Sequence, residues 1–179
     1  MAIFFTSDSH FGHANVIQYS GRPFTGTDHM REVLIARWNE RVQSQDTVYH
    51  LGDLFLCSQE AAQKIRARLN GSICLILGNH DKTASSLPHL FEWVKDMYYL
   101  RYEGRRIMLC HYAMRTWRNS SHGSWHLYGH SHGNMPGIGY SMDVGVDCHD
   151  FYPISFAQVE VAMLAKGPGL NINHHSSRR

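Results

Sequence analysis

Short apolar runs separated by turn residues recur along the chain: AIFF (2–5), TVYHL (47–51), ICLIL (73–77), RIMLC (106–110), HLYG (126–129) and SMDVGV (141–146). Each is strand length and rich in β-branched, aromatic or sulfur-bearing residues, which predicts buried strands. Between the first three the apolar spacing changes to that of a helix. From Asp28 to Val42, the residues Met30, Val33, Leu34, Trp38 and Val42 fall on one face. A second helix is expected from Ser58, a plausible N-cap, to Leu69, before Asn70-Gly71. The resulting β-α-β-α-β order is that of a parallel sheet. The second half has shorter spacings, with Gly104 as a turn signal, and reads as predominantly β. Near the end, Ser155 and Gln158 form a capping-box pattern that predicts a helix over SFAQVEVAMLAK. The closing GPGLNINHHSSRR has no periodicity. One domain is therefore expected over 1–166 and a flexible tail over 167–179, with His174 and His175 outside any site.

Composition narrows the function. The 179 residues, 43% hydrophobic and 18% charged, describe a globular protein large enough to bury a substantial core. The opening MAIFFTSDSH has no basic region, and no run approaches the roughly 20 apolar residues of a membrane span, so a cytoplasmic protein without a membrane partner is expected. A formal net charge of +2 gives no strong nucleic-acid signal. The four cysteines form no CxxC pair, which argues against a zinc ribbon or disulfide scaffold and for small buried side chains in a reducing compartment. The 14 histidines stand out.

Many of them follow the apolar runs. The first run leads to Asp8 and His10, the second to Asp53, the third to Asn79, His80 and Asp81, the fourth to His111, and the fifth to His130 and His132. Ligands of α/β sheets gather at the carboxyl ends of strands, so these side chains could meet in one crevice. Singly the motifs are weak. Residues two apart on an extended chain point to opposite faces, so Asp8 and His10 meet one ion only if the chain turns. Carboxylate, imidazole and amide oxygen without thiolate suit Mn²⁺, Fe, Co²⁺, Ni²⁺ or Zn²⁺. There are more donors than one ion needs; two ions about 3.5–4 Å apart, bridged by a carboxylate, serve phosphate-ester hydrolysis.

The ordered blocks Asp8-x-His10, Gly52-Asp53, Gly78-Asn79-His80-Asp81, His111 and Gly129-His130-x-His132 resemble those of the calcineurin-like metallophosphoesterase superfamily. The opening SDSHFGHANVIQYSGRPF also resembles a small bacterial and phage branch of predicted phosphoesterases. The resemblance implies an α/β fold, a β-sandwich flanked by helices in four α/β/β/α layers. It implies two divalent cofactor ions, manganese first, with Fe, Ni²⁺, Co²⁺ or Zn²⁺ as alternatives. Asp8, His10 and His132 would hold one ion, Asn79, His111 and His130 the other, and Asp53 would bridge. His80, oriented by Asp81, would act on the substrate phosphate beside Asn79. The implied reaction is hydrolysis of phosphomonoesters or phosphodiesters by in-line attack of hydroxide held between the ions.

Beyond this set, His13 and Arg22 are candidate substrate-binding residues, Arg22 because a guanidinium can fork onto phosphoryl oxygens. Asn15 is a weaker candidate. Arg115 and Trp117 could line the substrate entrance or simply pack a loop on the sandwich. Asp147 or Cys148 could support the metal site from behind. His29, His50, His89, His122 and His126 read as structural or surface residues. The expected partner is a phosphate ester, nucleotides among the candidates; the oligomeric state leaves no signal. Two alternatives are a nuclease acting on nucleic-acid ends and a non-catalytic binding module on the same fold, although every motif block is filled.

Overall fold

The computed structural model describes residues 1–166, and the predicted tail with His174 and His175 lies outside the described residues. Two sheets make up the centre. The first runs in the order β4 (Trp93–Lys95), β3 (Ser72–Ile76), β2 (Thr47–His50), β1 (Ile3–Thr6), β9 (Ile154–Ser155). Its first four strands are parallel, and β9 pairs antiparallel with β1. The second runs β5 (Met97–Tyr102), β6 (Arg105–Cys110), β7 (Trp125–Tyr128), β8 (Ser141–Asp143), with an antiparallel β5–β6 hairpin and parallel pairing thereafter. That hairpin turns at Glu103-Gly104, where φ is 46° and 71°, the two positive angles that a tight two-residue turn requires.

Alternation along the strands assigns the two faces of the first sheet. Phe4, Val48, Ile73 and Leu75 join the core under α1 (Ala14–Tyr19), α2 (Thr27–Arg41) and α3 (Gln59–Arg66), together with Val16, Met30, Leu34, Trp38 and Ile65. The intervening Ile3, Phe5 and Ile76 meet Ile107, Leu109, Trp125 and Leu127 of the second sheet. The last helix, α5 (Phe156–Leu164), adds Val159 and Met163 to this inter-sheet core. Its capping box forms as predicted, with the Gln158 amide donating to Ser155 Oγ and the Ser155 amide to Gln158 Oε1. Over the outer face of the second sheet the covering layer is thin. The crossovers 111–124 and 129–140 span it, with one 3-10 turn at Ser120–His122.

The expected α/β sandwich flanked by helices is thus present, and the three predicted helices, α2, α3 and α5, lie within a few residues of their predicted bounds. Short elements escape the pattern: α1, α4 (Lys82–Ser85), β4 and β9 offer too few residues for a period, and β5, MYYLRY, mixes exposed and buried positions. Cys74 and Cys110 are buried as expected, whereas Cys57 is half-buried and Cys148 exposed. No described helix is long and apolar enough to cross a membrane.

Beyond its last paired residue β1 continues alongside the end of β8, through a parallel bridge between Ser7 and Gly145 and a 3.0 Å bond from the Val146 amide to the Ser7 carbonyl. The parallel strands of both sheets therefore deliver their carboxyl ends to one rim. Ile76, fully buried in the inter-sheet core just before the Asn79 turn, is a test of that support. Ile76→Ala is expected to cost about 2–5 kcal/mol in urea denaturation; a loss well under 1 kcal/mol would contradict the packing described.

Candidate metal centre

Five of those strand ends converge. Asp8, His10 and His132 each present a ligand atom within 4.8 Å of the others, and Asp53, His111 and His130 form a second such group. Asp53 lies between them: its Oδ2 is 3.6 Å from His10 Nε2 in the first group and 3.5 Å from His111 Nε2 in its own. Its Oδ1 is fixed by the His80 backbone amide at 2.8 Å. Asn79 adds an amide oxygen 3.1 Å from His111 Nε2.

The chain turn that an Asp-x-His pair requires is present at each cluster. Nine described non-glycine residues have positive φ, and five of them are Asp8, His10, Asp53, His130 and His132. Asp and His enter this left-handed region more readily than most residues, yet so many such turns at one place mark a constrained site. They cancel the strand alternation, so that residues two apart reach the same crevice. The motif glycines leave room for the carboxylates. A Cβ on Gly129 would lie 2.4 Å from Asp8 Oδ2, and one on Gly78 would lie 2.3 Å from Asp53 Oδ1.

The donor set fits divalent cations. Both ring nitrogens of His10 are buried without a hydrogen-bond partner, and Nε2 faces the Asp8 and Asp53 carboxylates. His111 donates from Nδ1 to the Leu51 carbonyl at 2.7 Å, which in the neutral ring leaves the Nε2 lone pair pointing at the oxygens of Asn79 and Asp53. Lone pairs aimed at lone pairs repel unless a cation or proton lies between them. His132 has the same polarity, its Nδ1 donating to Asp147 Oδ2 at 2.6 Å. An imidazole held from behind by a carboxylate is the usual arrangement of a metal-binding histidine.

Comparison with known proteins agrees with this geometry. The model of the calcineurin-like phosphoesterase superfamily domain matches residues 1–140. The chain belongs to that superfamily. It is 34% identical over 174 residues to an uncharacterized protein of Methanocaldococcus jannaschii, covering 92% of each chain. A shorter match, 37% identical over 89 residues, is to the Gene 66 protein of Mycobacterium phage D29, covering 45% of this chain and 40% of that one. The crystal structure of a protein of unknown function from Aquifex aeolicus superposes with a TM-score of 0.74 at 26% identity, covering 90% of this chain and 98% of that one.

Two expectations for this superfamily member need correction. Arg22 is not free to fork onto a phosphate: its side chain is fully buried and its donors go to Asp147, the carbonyls of Asp8 and Ser9, and Met30 Sδ. Asp81 does not orient the His80 ring. Its carboxylate accepts the backbone amides of Asp53, Leu54 and Gly78 at 2.7–2.8 Å, tying the Asp53 turn to the Asn79 turn. His80 itself is exposed, its ring centroid 5.9 Å from that of His10 and 6.3 Å from that of His13.

Farther out, Arg115 and Trp117 line a cavity of about 600 Å³ over the outer face of the second sheet, bounded by Met114, Met135, Ile138 and Tyr140. None of the clustered donors lines it. Asp143 holds the loop bearing His130 and His132, accepting from Ser131 Oγ, the Gly133 amide and the Gly145 amide. Sequence gave no sign of that task beyond an acidic residue in an apolar run. His50 and His126 are buried structural residues, bonded to Ser9 Oγ and to the Met114 amide.

Burial sets the charge states before any cation enters. It pushes the Asp8 carboxyl up to about 7 and the His10 imidazole down to about 3. At Asp53 burial acts upward too, but His111 and the His80 amide outweigh it and hold the acid at about 2. At His111 and His132 burial acts downward, yet Asp53, Asp8 and Asp147 raise both above the ordinary imidazole value. Asp8, raised in the fold, favours the metal-free folded state below its ordinary 3.8 and loses that contribution as pH rises through about 7. Cations compete with these same protons. The rise in melting temperature on adding Mn²⁺ should therefore be larger at pH 8 than at pH 5.5; equal shifts would contradict the assignment of ligands. Separately, Asp81→Ala strands three amides and is expected to cost on the order of 3 kcal/mol, read from urea denaturation, and to weaken Mn²⁺ binding; a stability equal to wild type would contradict its bracing role.

Proposed function

We propose that this protein is a dinuclear metal-dependent hydrolase of phosphomonoesters or phosphodiesters. The observation that carries the reading is the position of Asp53, one carboxylate oxygen facing an imidazole nitrogen from each of two donor clusters. Asp8, His10 and His132 would hold one ion, and His111, His130 and Asn79 the other. Two bound divalent cations, Mn²⁺ foremost, would supply Lewis acidity toward phosphoryl oxygens and acidify a water enough to serve as nucleophile near neutral pH.

The chain's own residues do the remaining work. Asn79, His80 and His130 are exposed at the mouth, so a phosphate ester can approach without a lid opening. The His80 ring is exposed beside the buried donors and its amide is anchored on Asp53, which supports assigning it as the proton donor to a leaving oxygen. His13, with its ring centroid 5.3 Å from that of His10, puts a second imidazole beside it. With Arg22 buried, these two histidines are the groups we assign to the substrate phosphate. A nucleotide is one ester that an open mouth admits.

The test separates binding from rate. Asp53→Ala should lose both metal and activity. His80→Ala should keep its metal and lose about 10²–10⁴-fold in rate on alkyl phosphate esters, with a smaller loss on nitrophenyl esters, whose leaving group needs no proton. Wild-type rates in His80→Ala on an alkyl ester would remove its role. Failure of metal-loaded protein to turn over any mono- or diester would favour the binding module.

A further inference from the structure

The two donor clusters are built differently behind the ligands. Arg22 has a fully buried side chain, and all its hydrogen-bonding capacity is spent within the fold. Nε and Nη2 fork onto the two Asp147 oxygens at 2.7 Å each, and Nη2 also reaches the Asp8 carbonyl at 2.7 Å. Nη1 lies 3.3 Å from the Ser9 carbonyl and 3.4 Å from Met30 Sδ. Asp147 in turn accepts His132 Nδ1 on the oxygen that Nη2 touches. One guanidinium thus grips the backbone of the Asp8-Ser9-His10 turn and, through one carboxylate, the ring of His132. The other cluster is braced through its backbone instead, by Asp81 on the Asp53 and Asn79 turns and by the Leu51 carbonyl on the His111 ring; among the described residues no arginine or lysine side chain bonds to Asp53, Asn79, His111 or His130.

A buried Arg–Asp pair is weak evidence for stability, because desolvation offsets its attraction. What it supplies here is position. We propose that Arg22, acting through Asp147, is a positioning residue that preassembles the Asp8–His10–His132 half of the metal centre and makes it the tighter of two unequal ion sites. The inference rests on the two-ion reading above. Arginine suits the task because its planar fork engages Asp147 bidentately while other N–H groups reach two carbonyls; a lysine carries the charge without that geometry. Held from behind, the His132 ring keeps its proton on Nδ1 and offers Nε2 toward Asp8 and His10.

Mn²⁺ binding to the full chain, followed by isothermal titration calorimetry and ion counting after dialysis, tests this in wild type, Arg22→Lys and Asp147→Asn. Wild type should bind two ions of unequal affinity. Both variants should weaken the tighter ion by about 10–100-fold and move the weaker one by less than about threefold. Nitrogen NMR of histidine-labelled, Zn²⁺-loaded protein should show His132 as a single Nδ1–H tautomer in wild type and as a mixture in Arg22→Lys. Should Arg22→Lys fail to fold, Asp147→Asn carries the same comparison. Equal weakening of both ions, or two ions bound unchanged in the variants, overturns the inference and leaves the phosphoesterase reading standing. A wild-type chain that binds no ion overturns both.

Discussion

The architecture of the crevice depends on one electrostatic constraint: two buried carboxylates, Asp8 and Asp53, face imidazole nitrogens across 3.5–3.9 Å with no hydrogen bond to join them. In a buried setting, charge and lone pairs left unpaired are expensive, and the gaps are too wide for direct bonds yet suited to an intervening cation. The left-handed turns, the side-chain-free approaches at Gly78 and Gly129, and the bracing by Asp81, Asp143 and Asp147 all serve to hold donors at those separations. Without a cation, burial drives the Asp8 carboxyl up and the His10 imidazole down.

The bracing acts mainly on the turns that carry the candidate ligands. Asp81 knits the Asp53 and Asn79 turns together through three amides. Asp143 fixes the loop carrying His130 and His132, and the Ser7–Gly145 bridge ties the chain after β1 to the chain after β8. The helices and the inter-sheet core contribute stiffness at a distance, since Ile76 and Leu109 are fully buried a few residues before the candidate ligands Asn79 and His111. Among the candidate site residues Asn79, His80 and His130 are exposed, on the side from which a substrate would approach in our proposal.

Much of this was legible in the sequence, for identifiable reasons. Strands buried on both faces give continuous apolar runs, so β1, β2, β3, β6 and β7 announce themselves, and the ligands follow each run at once. The capping box at Ser155 needs only two residues and forms as read. Less legible were features set by long-range contacts. Arg22 carries the sequence appearance of a phosphate ligand, and only the fold shows its guanidinium turned inward to Asp147, 125 residues away. Asp81 sits beside His80 in sequence, but its carboxylate turns toward backbone amides, two of which come from another strand end. Short elements such as α4 and β9 have no room for a period and are made by packing.

The central claim is that two cations occupy the crevice with Asp53 between them. Anomalous diffraction from crystals grown with Mn²⁺ tests it most directly. The account predicts two anomalous peaks, one against Asp8, His10 and His132, the other against Asn79, His111 and His130, with Asp53 touching both. A single peak, or peaks away from these residues, would contradict it.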